Sequence, residues 1–209
     1  MMIVVTGTNR CDFTYYLGRV LYEVSPRVVI IDNSYSGKLF NSVLGPNSED
    51  VGLAFNVKRS DITYLKDVAY SPEFFEAFDF VVIYEGETPD FEEIDKADYA
   101  LAMPNYEPEN IEKVKDMPEN TEYIMRDHAG KIADKALFAL LDTSKDRIIG
   151  SIEYSDADYA KYLGLIYNGK QKPAGVSEGM RDALVYTVAK LTDGNEKMAA
   201  KYFKKASKL

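Results

Sequence analysis

Apolar residues in this chain fall into short unbroken runs separated by segments of helical spacing. Met2-Ile3-Val4-Val5-Thr6, Val28-Val29-Ile30-Ile31 and Phe80-Val81-Val82-Ile83-Tyr84 are apolar almost throughout. A strand with one solvated face alternates, whereas one covered on both faces does not, so these runs predict strands inside a parallel sheet. Similar runs at 99–102, 122–125 and 147–152 extend the series. Between the runs, segments 13–24, 72–78, 91–96, 108–116 and 134–141 carry helical spacing. Ser71-Pro72-Glu73 offers an N-cap, a proline at the first helical position and an acid in the first turn. Segment 51–68 is less regular, and its runs 55–58 and 62–65 fit either an extra strand or a hairpin. From residue 155 the pattern is helical, over 155–167, 177–191 and 195–207, broken by a Gly- and Pro-containing loop at 168–175. Strands alternating with helices predict a three-layer α/β/α fold around a mostly parallel, doubly wound sheet. The length, 209 residues without repeat or linker, fits a single domain over 1–209.

Composition narrows the function. No apolar run reaches the roughly 18 residues of a membrane span. The N-terminus lacks a secretory pattern, and Cys11 is the single cysteine, so a cytosolic protein without disulfides or a cysteine-built metal site is expected. The formal charge of −9 disfavours nucleic acid as a partner, because phosphate neutralisation needs clustered cations. The charge is uneven: residues 196–209 hold five lysines against Glu196, a balance of +4, which leaves −13 on the rest. Segment 195–209 is thus a basic amphipathic helix, with Met198, Tyr202, Ala206 and Leu209 on one side and Ala199 and Phe203 flanking them. Lys197, Lys201, Lys204, Lys205 and Lys208 surround that stripe. Two readings stand: the apolar side packs on the domain, or the helix meets an anionic membrane surface or a partner.

The candidate chemistry lies where predicted strands end, because ligands of open α/β sheets bind at the carboxyl edge. After the first strand come Gly7-Thr8-Asn9-Arg10-Cys11-Asp12, then a helix. Strand, turn and helix are the frame of a phosphate-binding unit, yet G-x-x-x-x-G-K-[ST] is absent and the turn is about three residues short of it. Arg10 falls near the lysine position, with Cys11 and Asp12 where hydroxyls would stand. Cysteine is a poor ligand for Mg²⁺, and Asp12 puts negative charge at the helix N-terminus, as an ordinary N-cap does. A capped turn without ligand is therefore preferred to a nucleotide site. Asp32, ending the second strand, is either an acid beside the site or part of a polar turn, Asp32-Asn33-Ser34-Tyr35-Ser36-Gly37. Glu85 follows the Phe80 strand, as an organiser of metal-bound water or as a solvated loop charge. His128, the sole histidine, is either a general base beside Asp127 or a surface loop residue. The series Tyr159, Tyr162 and Tyr167, spaced for a helix, reads as core, with a partner face as the alternative.

Several phrases then resemble the MinD/ParA family of deviant-Walker (SIMIBI-class) ATPases. The segment 27–37 resembles "IDxDxxG", keeping Asp32 and Gly37 but with Ser34 for the second acid. Asp79-Phe80-Val81-Val82-Ile83 resembles "YDxVIID" without its final acid, and Ala97-Asp98-Tyr99-Ala100-Leu101-Ala102-Met103-Pro104 is similar to "ADxVLxVxxP". Ile149-Gly150-Ser151-Ile152-Glu153-Tyr154-Ser155 is similar to "xGxIPYD", with Glu153 for proline. The resemblance implies a P-loop-NTPase-like fold. Against it stand the losses: both signature lysines, the magnesium-binding threonine, the second acid at 34, the switch acid at 84, and the adenine-reading asparagine, replaced by Met125-Arg126-Asp127.

The resulting expectation is a pseudo-ATPase with no cofactor and no catalytic residue. It would localise or scaffold a cell-envelope, pilus or secretion assembly through protein contacts, as a homodimer, similar to the divergent CpaE/TadZ members. Peripheral contact with the inner face of the membrane would run through Lys197, Lys201, Tyr202, Phe203, Lys204 and Lys205. The alternative is an ATP- and Mg²⁺-binding switch, or a DNA-partition ATPase, with Gly7, Thr8, Asn9, Arg10, Cys11 and Asp12 around phosphate and Asp32 or Glu85 organising metal.

Overall fold

A computed structural model describes residues 1–45, 55–66, 68, 72–128 and 134–208. Among the described residues eight strands form one sheet: β1 (Met2–Thr6), β2 (Val28–Asp32), β3 (Asn56–Arg59), β4 (Ile62–Lys66), β5 (Phe80–Gly86), β6 (Tyr99–Ala102), β7 (Thr121–His128) and β8 (Ile148–Glu153). Their order is β3-β4-β2-β5-β1-β6-β7-β8, and every pairing is parallel except β3 with β4. The irregular segment is thus both things at once, a hairpin whose second arm extends the parallel sheet and whose first arm covers the edge. Residues 51–54, where that segment was expected to begin, lie outside the described residues.

The helices are α1 (Asp12–Tyr22), α2 (Lys38–Leu44), α3 (Pro72–Glu76), α4 (Phe91–Lys96), α5 (Pro108–Lys113), α6 (Asp134–Leu141), α7 (Asp156–Asn168), α8 (Glu178–Leu191) and α9 (Glu196–Ala206). α2 was not expected, because Asn33 to Gly37 reads as a plain turn and the seven residues after it are too few to show a period. Asp90, Ser155, Ser177 and Asn195 cap α4, α7, α8 and α9 through their side chains, each satisfying an otherwise orphaned backbone donor.

The doubled core explains the unbroken apolar runs. Successive strand residues point to opposite faces, so Ile3, Val5, Val28, Ile30, Val82 and Leu101 pack under α1, α2, α7, α8 and α9. Val4, Val29, Ile31, Val81, Ile83 and Ala100 pack under α3 to α6. The tyrosine series divides: Tyr162 is buried, whereas Tyr159 and Tyr167 are 42% and 66% exposed. Expecting all three in the core was wrong, because a spacing of three then five residues carries Tyr167 round to the far side of α7.

α9 lays Ala199 and Ala206 on the first core, with Tyr202 and Phe203 partly buried beside them. Met198 is exposed, so the buried stripe is rotated toward Ala199 relative to the one drawn from sequence, and Leu209 lies outside the described residues. Lys197, Lys201, Lys204 and Lys205 project outward. Among the described residues no helix is long and apolar enough to cross a membrane.

Candidate functional site

β1 lies at the centre of the sheet, and its carboxyl end delivers the turn Gly7 to Cys11 beside the ends of β5, β6 and β7. Gly7 has φ +79°, and a Cβ there would lie 2.9 Å from Val114 Cγ1 and 3.2 Å from the Met103 backbone nitrogen. Only glycine fits both the dihedral and the space. The turn is then sewn to β5. The Thr8 N–H donates to Gly86 O at 3.1 Å, and the Tyr84 hydroxyl donates to Thr8 O at 2.9 Å. Arg10 N–H donates to Thr8 Oγ1 at 3.2 Å. Tyr84, at the position of a switch acid, is therefore a structural clamp on this turn.

α1 starts one residue earlier than expected, and its N-cap is Cys11, which makes no side-chain capping bond. Asp12 is the first helical residue, so its reading as an N-cap is corrected. Its carboxylate turns instead toward two arginines. Arg10 Nη2 donates to Asp12 Oδ2 at 2.9 Å, and Arg126 Nη2 donates to Asp12 Oδ1 at 2.6 Å. Arg10 Nη1 also donates to Asp127 Oδ1 at 2.6 Å, while Arg126 Nε lies 3.5 Å from Asp127 Oδ2. Arg10, Asp12 and Arg126 are all buried, Asp12 completely. Two arginines and two aspartates thus close a neutral ring linking the first turn of α1 to the end of β7. The Arg10 guanidinium also stands 5.1 Å from the Tyr162 ring centre and 5.8 Å from that of Tyr159, a stacking that suits its planar, weakly hydrated charge.

Arg126 was noted in the sequence only as part of the replacement for an asparagine, and Asp127 also as the neighbour of His128. Their available signal was position, since a charged pair ending a strand of a parallel sheet arrives at the carboxyl edge. His128 ends β7, and the loop after it lies outside the described residues.

Asp32 is buried and pins the turn into α2. Its Oδ1 accepts from Ser34 N–H at 3.0 Å and Ser34 Oγ at 2.5 Å, and its Oδ2 accepts from Phe40 N–H at 2.8 Å. Burial raises its pKa, and those donors oppose the shift. Glu85 is neither loop-borne nor solvated: it lies within β5, only 4% exposed, with Oε2 accepting the Asp90 N–H at 3.0 Å. The strand runs two residues past the apolar stretch, which carries Glu85 inward. Burial pushes its pKa up to about 7, with the Asp90 hydrogen bond opposing the shift. Cys11 is fully buried, and desolvation, followed by the charge of Asp12, pushes its thiol up to about 12.

Beside the ring lies a polar cavity of about 190 Å³, with Thr8, Asn9, Arg126, Asp127, Glu87 and Glu107 in its lining. It is smaller than the roughly 300–1,000 Å³ of ordinary small-molecule sites. Among the described residues no group of three acidic, histidine or cysteine side chains could hold a metal ion.

No family model and no curated protein sequence matches the chain. Solved structures do. The chain is similar to the Aquifex aeolicus MinC:MinD cell division protein complex, with a TM-score of 0.57 at 16% identity over 99% of this chain and 93% of that one. It is similar to a ParA family ATPase from Chlorobium tepidum TLS, with a TM-score of 0.55 at 10% identity over 100% and 99% of the two chains. A putative plasmid partition protein from Borrelia burgdorferi B31, solved with AMPPNP, gives 0.55 at 12% identity over 98% of each. The expected α/β fold, P-loop-NTPase-like and shared with MinD and ParA ATPases, is therefore the observed one, over the whole chain.

Proposed function

We propose that this protein keeps the MinD/ParA fold as a scaffold, has given up nucleotide hydrolysis, and acts by positioning partner proteins. The observation that carries this reading is the Asp12 carboxylate, held between Arg10 and Arg126 at the N-terminus of α1. A helix N-terminus attracts an anion, and here the chain supplies its own. Both arginines that could meet a phosphate already face carboxylates. The Thr8 backbone donor is spent on Gly86 O of β5, and that of Arg10 on the Thr8 hydroxyl. The adjoining cavity is small and bears Glu87, Glu107 and Asp127, which repel a polyphosphate. ATP and Mg²⁺ do not fit this constellation, so no hydrolytic step is assigned.

A role through protein contacts is supported by exposed aromatics on the carboxyl-edge loops and α7. Tyr35 is fully exposed, and Tyr154 and Tyr159 are about half exposed. Tyrosine on a surface favours protein interfaces. One similar structure is itself a MinC:MinD complex. The expected assembly is a homodimer serving a cell-envelope, pilus or secretion machine, with peripheral membrane contact through the lysines of α9. Thermal denaturation with and without ATP and Mg²⁺ tests the central point: an unchanged midpoint is expected. Stabilisation at micromolar ATP that disappears in Arg10→Ala would establish the switch reading instead.

A further inference from the structure

A second cavity, of about 260 Å³, lies farther along α1, at Tyr15 and Arg19, about one and two turns past Asp12. It is lined by Tyr15, Arg19, Ser60, Lys170, Gln171 and Lys172. Tyr15 and Arg19 are one helical turn apart and face the same way. The tight β3–β4 turn, with Ser60 at φ +50°, brings the Ser60 carbonyl to Arg19 Nη1 at 3.0 Å. The α7–α8 loop closes the remaining side. The Gln171 side chain sits so close to the backbone of Gly164 that a Cβ there would lie 2.1 Å from its amide nitrogen. Gln171 N–H donates to the Tyr15 hydroxyl at 3.3 Å. These contacts fix the loop so that Lys170 and Lys172 flank the cavity.

Its charge is the unusual property. Arg19 is 5% exposed, and its guanidinium makes one hydrogen bond, to a carbonyl; no carboxylate pairs with it among the described residues. Two lysines share the lining and no acid does, in a chain of net charge −9. Lys161 Nζ reaches the Lys172 carbonyl at 3.4 Å, bringing a further ammonium beside the loop, while Lys172 Nζ gives one of its donors to the Lys208 carbonyl at 2.9 Å. A buried cation without a counter-charge is costly, and clustered like charges add to that cost. The charged groups on the wall are all donors, the spare guanidinium N–H groups and two ammonium groups, and beside them stands the Tyr15 hydroxyl proton, which has no acceptor among the described residues.

We propose that this cavity binds a phosphate monoester, either as a free metabolite or as the headgroup of an anionic lipid. The volume suits a small headgroup and falls short of a typical drug-sized ligand. A dianion met by a forked guanidinium, two ammonium groups and a hydroxyl neutralises the charge that the fold leaves open. The site is independent of the nucleotide reading, because no residue of the Arg10 ring contributes to it.

The test uses the full chain with glycerol 3-phosphate as the soluble probe, and vesicles of phosphatidylcholine with or without phosphatidic acid as the lipid probe. Lys170→Ala/Lys172→Ala removes two exposed cations from the lining, and Lys96→Ala/Lys113→Ala removes two exposed cations from α4 and α5, on the opposite face of the sheet, as the charge-matched control. Saturable binding, weakened about tenfold or more in the first variant and little changed in the second, is the expected result. Binding of the soluble probe assigns a free ligand. Binding only to vesicles containing phosphatidic acid, with the same sensitivity, assigns a headgroup. Absence of saturable binding to both probes, or equal weakening in both variants, overturns the proposal.

Discussion

Arg126 Nη2 donates to Asp12 Oδ1 at 2.6 Å, joining residues 114 positions apart with both side chains sealed from solvent. That bond ties the end of β7 to the start of α1 and holds a protein carboxylate at a helix N-terminus, where negative charge is favoured. Pairs of this kind are stable only as a set, because each member is costly to bury alone.

Asp12→Ala should therefore be severe. Removing the shared acceptor leaves Asp127 as the one carboxylate of the ring facing both Arg10 and Arg126, the latter only at 3.5 Å, at a cost of about 3–5 kcal/mol. Arg126→Met should cost less, since Asp12 keeps Arg10. Urea denaturation of the two variants checks the order; equal stability to the parent would show that the ring is not structural.

Glu85 should make stability fall between acid and neutral pH. Its folded pKa, about 7, is raised above the ordinary 4.5 by burial. The folded state therefore holds the proton more tightly, and the contribution is fully present below pH 4.5 and lost as pH rises through about 7. The amplitude is at most about 3 kcal/mol. Glu85→Gln should flatten that slope and be more stable than the parent at pH 8, with Asp90 still near enough to need comparison by Asp90→Asn. Denaturant midpoints from pH 4.5 to 8.5 measure both.

Cys11 should be inert in the folded protein. Its thiol is fully buried and held near pKa 12, so neither thiolate nor access is available. Labelling by a chromogenic disulfide reagent at pH 8 should proceed at the rate of local or global opening, and become immediate in denaturant. Rapid stoichiometric labelling without denaturant would contradict the burial.

Gly7→Ala should destabilise by about 1–3 kcal/mol, from the left-handed dihedral together with the contacts to Val114 and Met103. The loss should be visible as a lowered thermal midpoint, whereas Gly194→Ala, where a Cβ meets nothing within 4 Å, should lose only the dihedral part.

Much of the fold was legible because it is written locally. The run Val28 to Ile31 is apolar at every position, and that alone says both faces of its strand are covered. Segments 177–191 and 195–207 show helical spacing along the chain, and the structure caps both at their first residue, Ser177 and Asn195. Where the signal needed more than a few neighbours it failed. α2 is too short for a period, Glu85 looked solvated because the strand's true end was hidden, and Tyr167 was grouped with Tyr162 by spacing alone.

By itself the sequence determined the α/β class, the position of nearly every helix, and the absence of the G-x-x-x-x-G-K-[ST] pattern after β1. Tertiary structure alone decided what surrounds the turn that stands there. The sheet order puts β7 beside β6 and β6 beside β1, and only that adjacency brings Arg126 and Asp127 to Arg10 and Asp12. It likewise gathers Arg19, Lys170 and Lys172 around one cavity. Periodicity and capping act over a single turn or strand, and so can be read along the chain. The partner of a buried charge is chosen by which distant segments the fold makes neighbours.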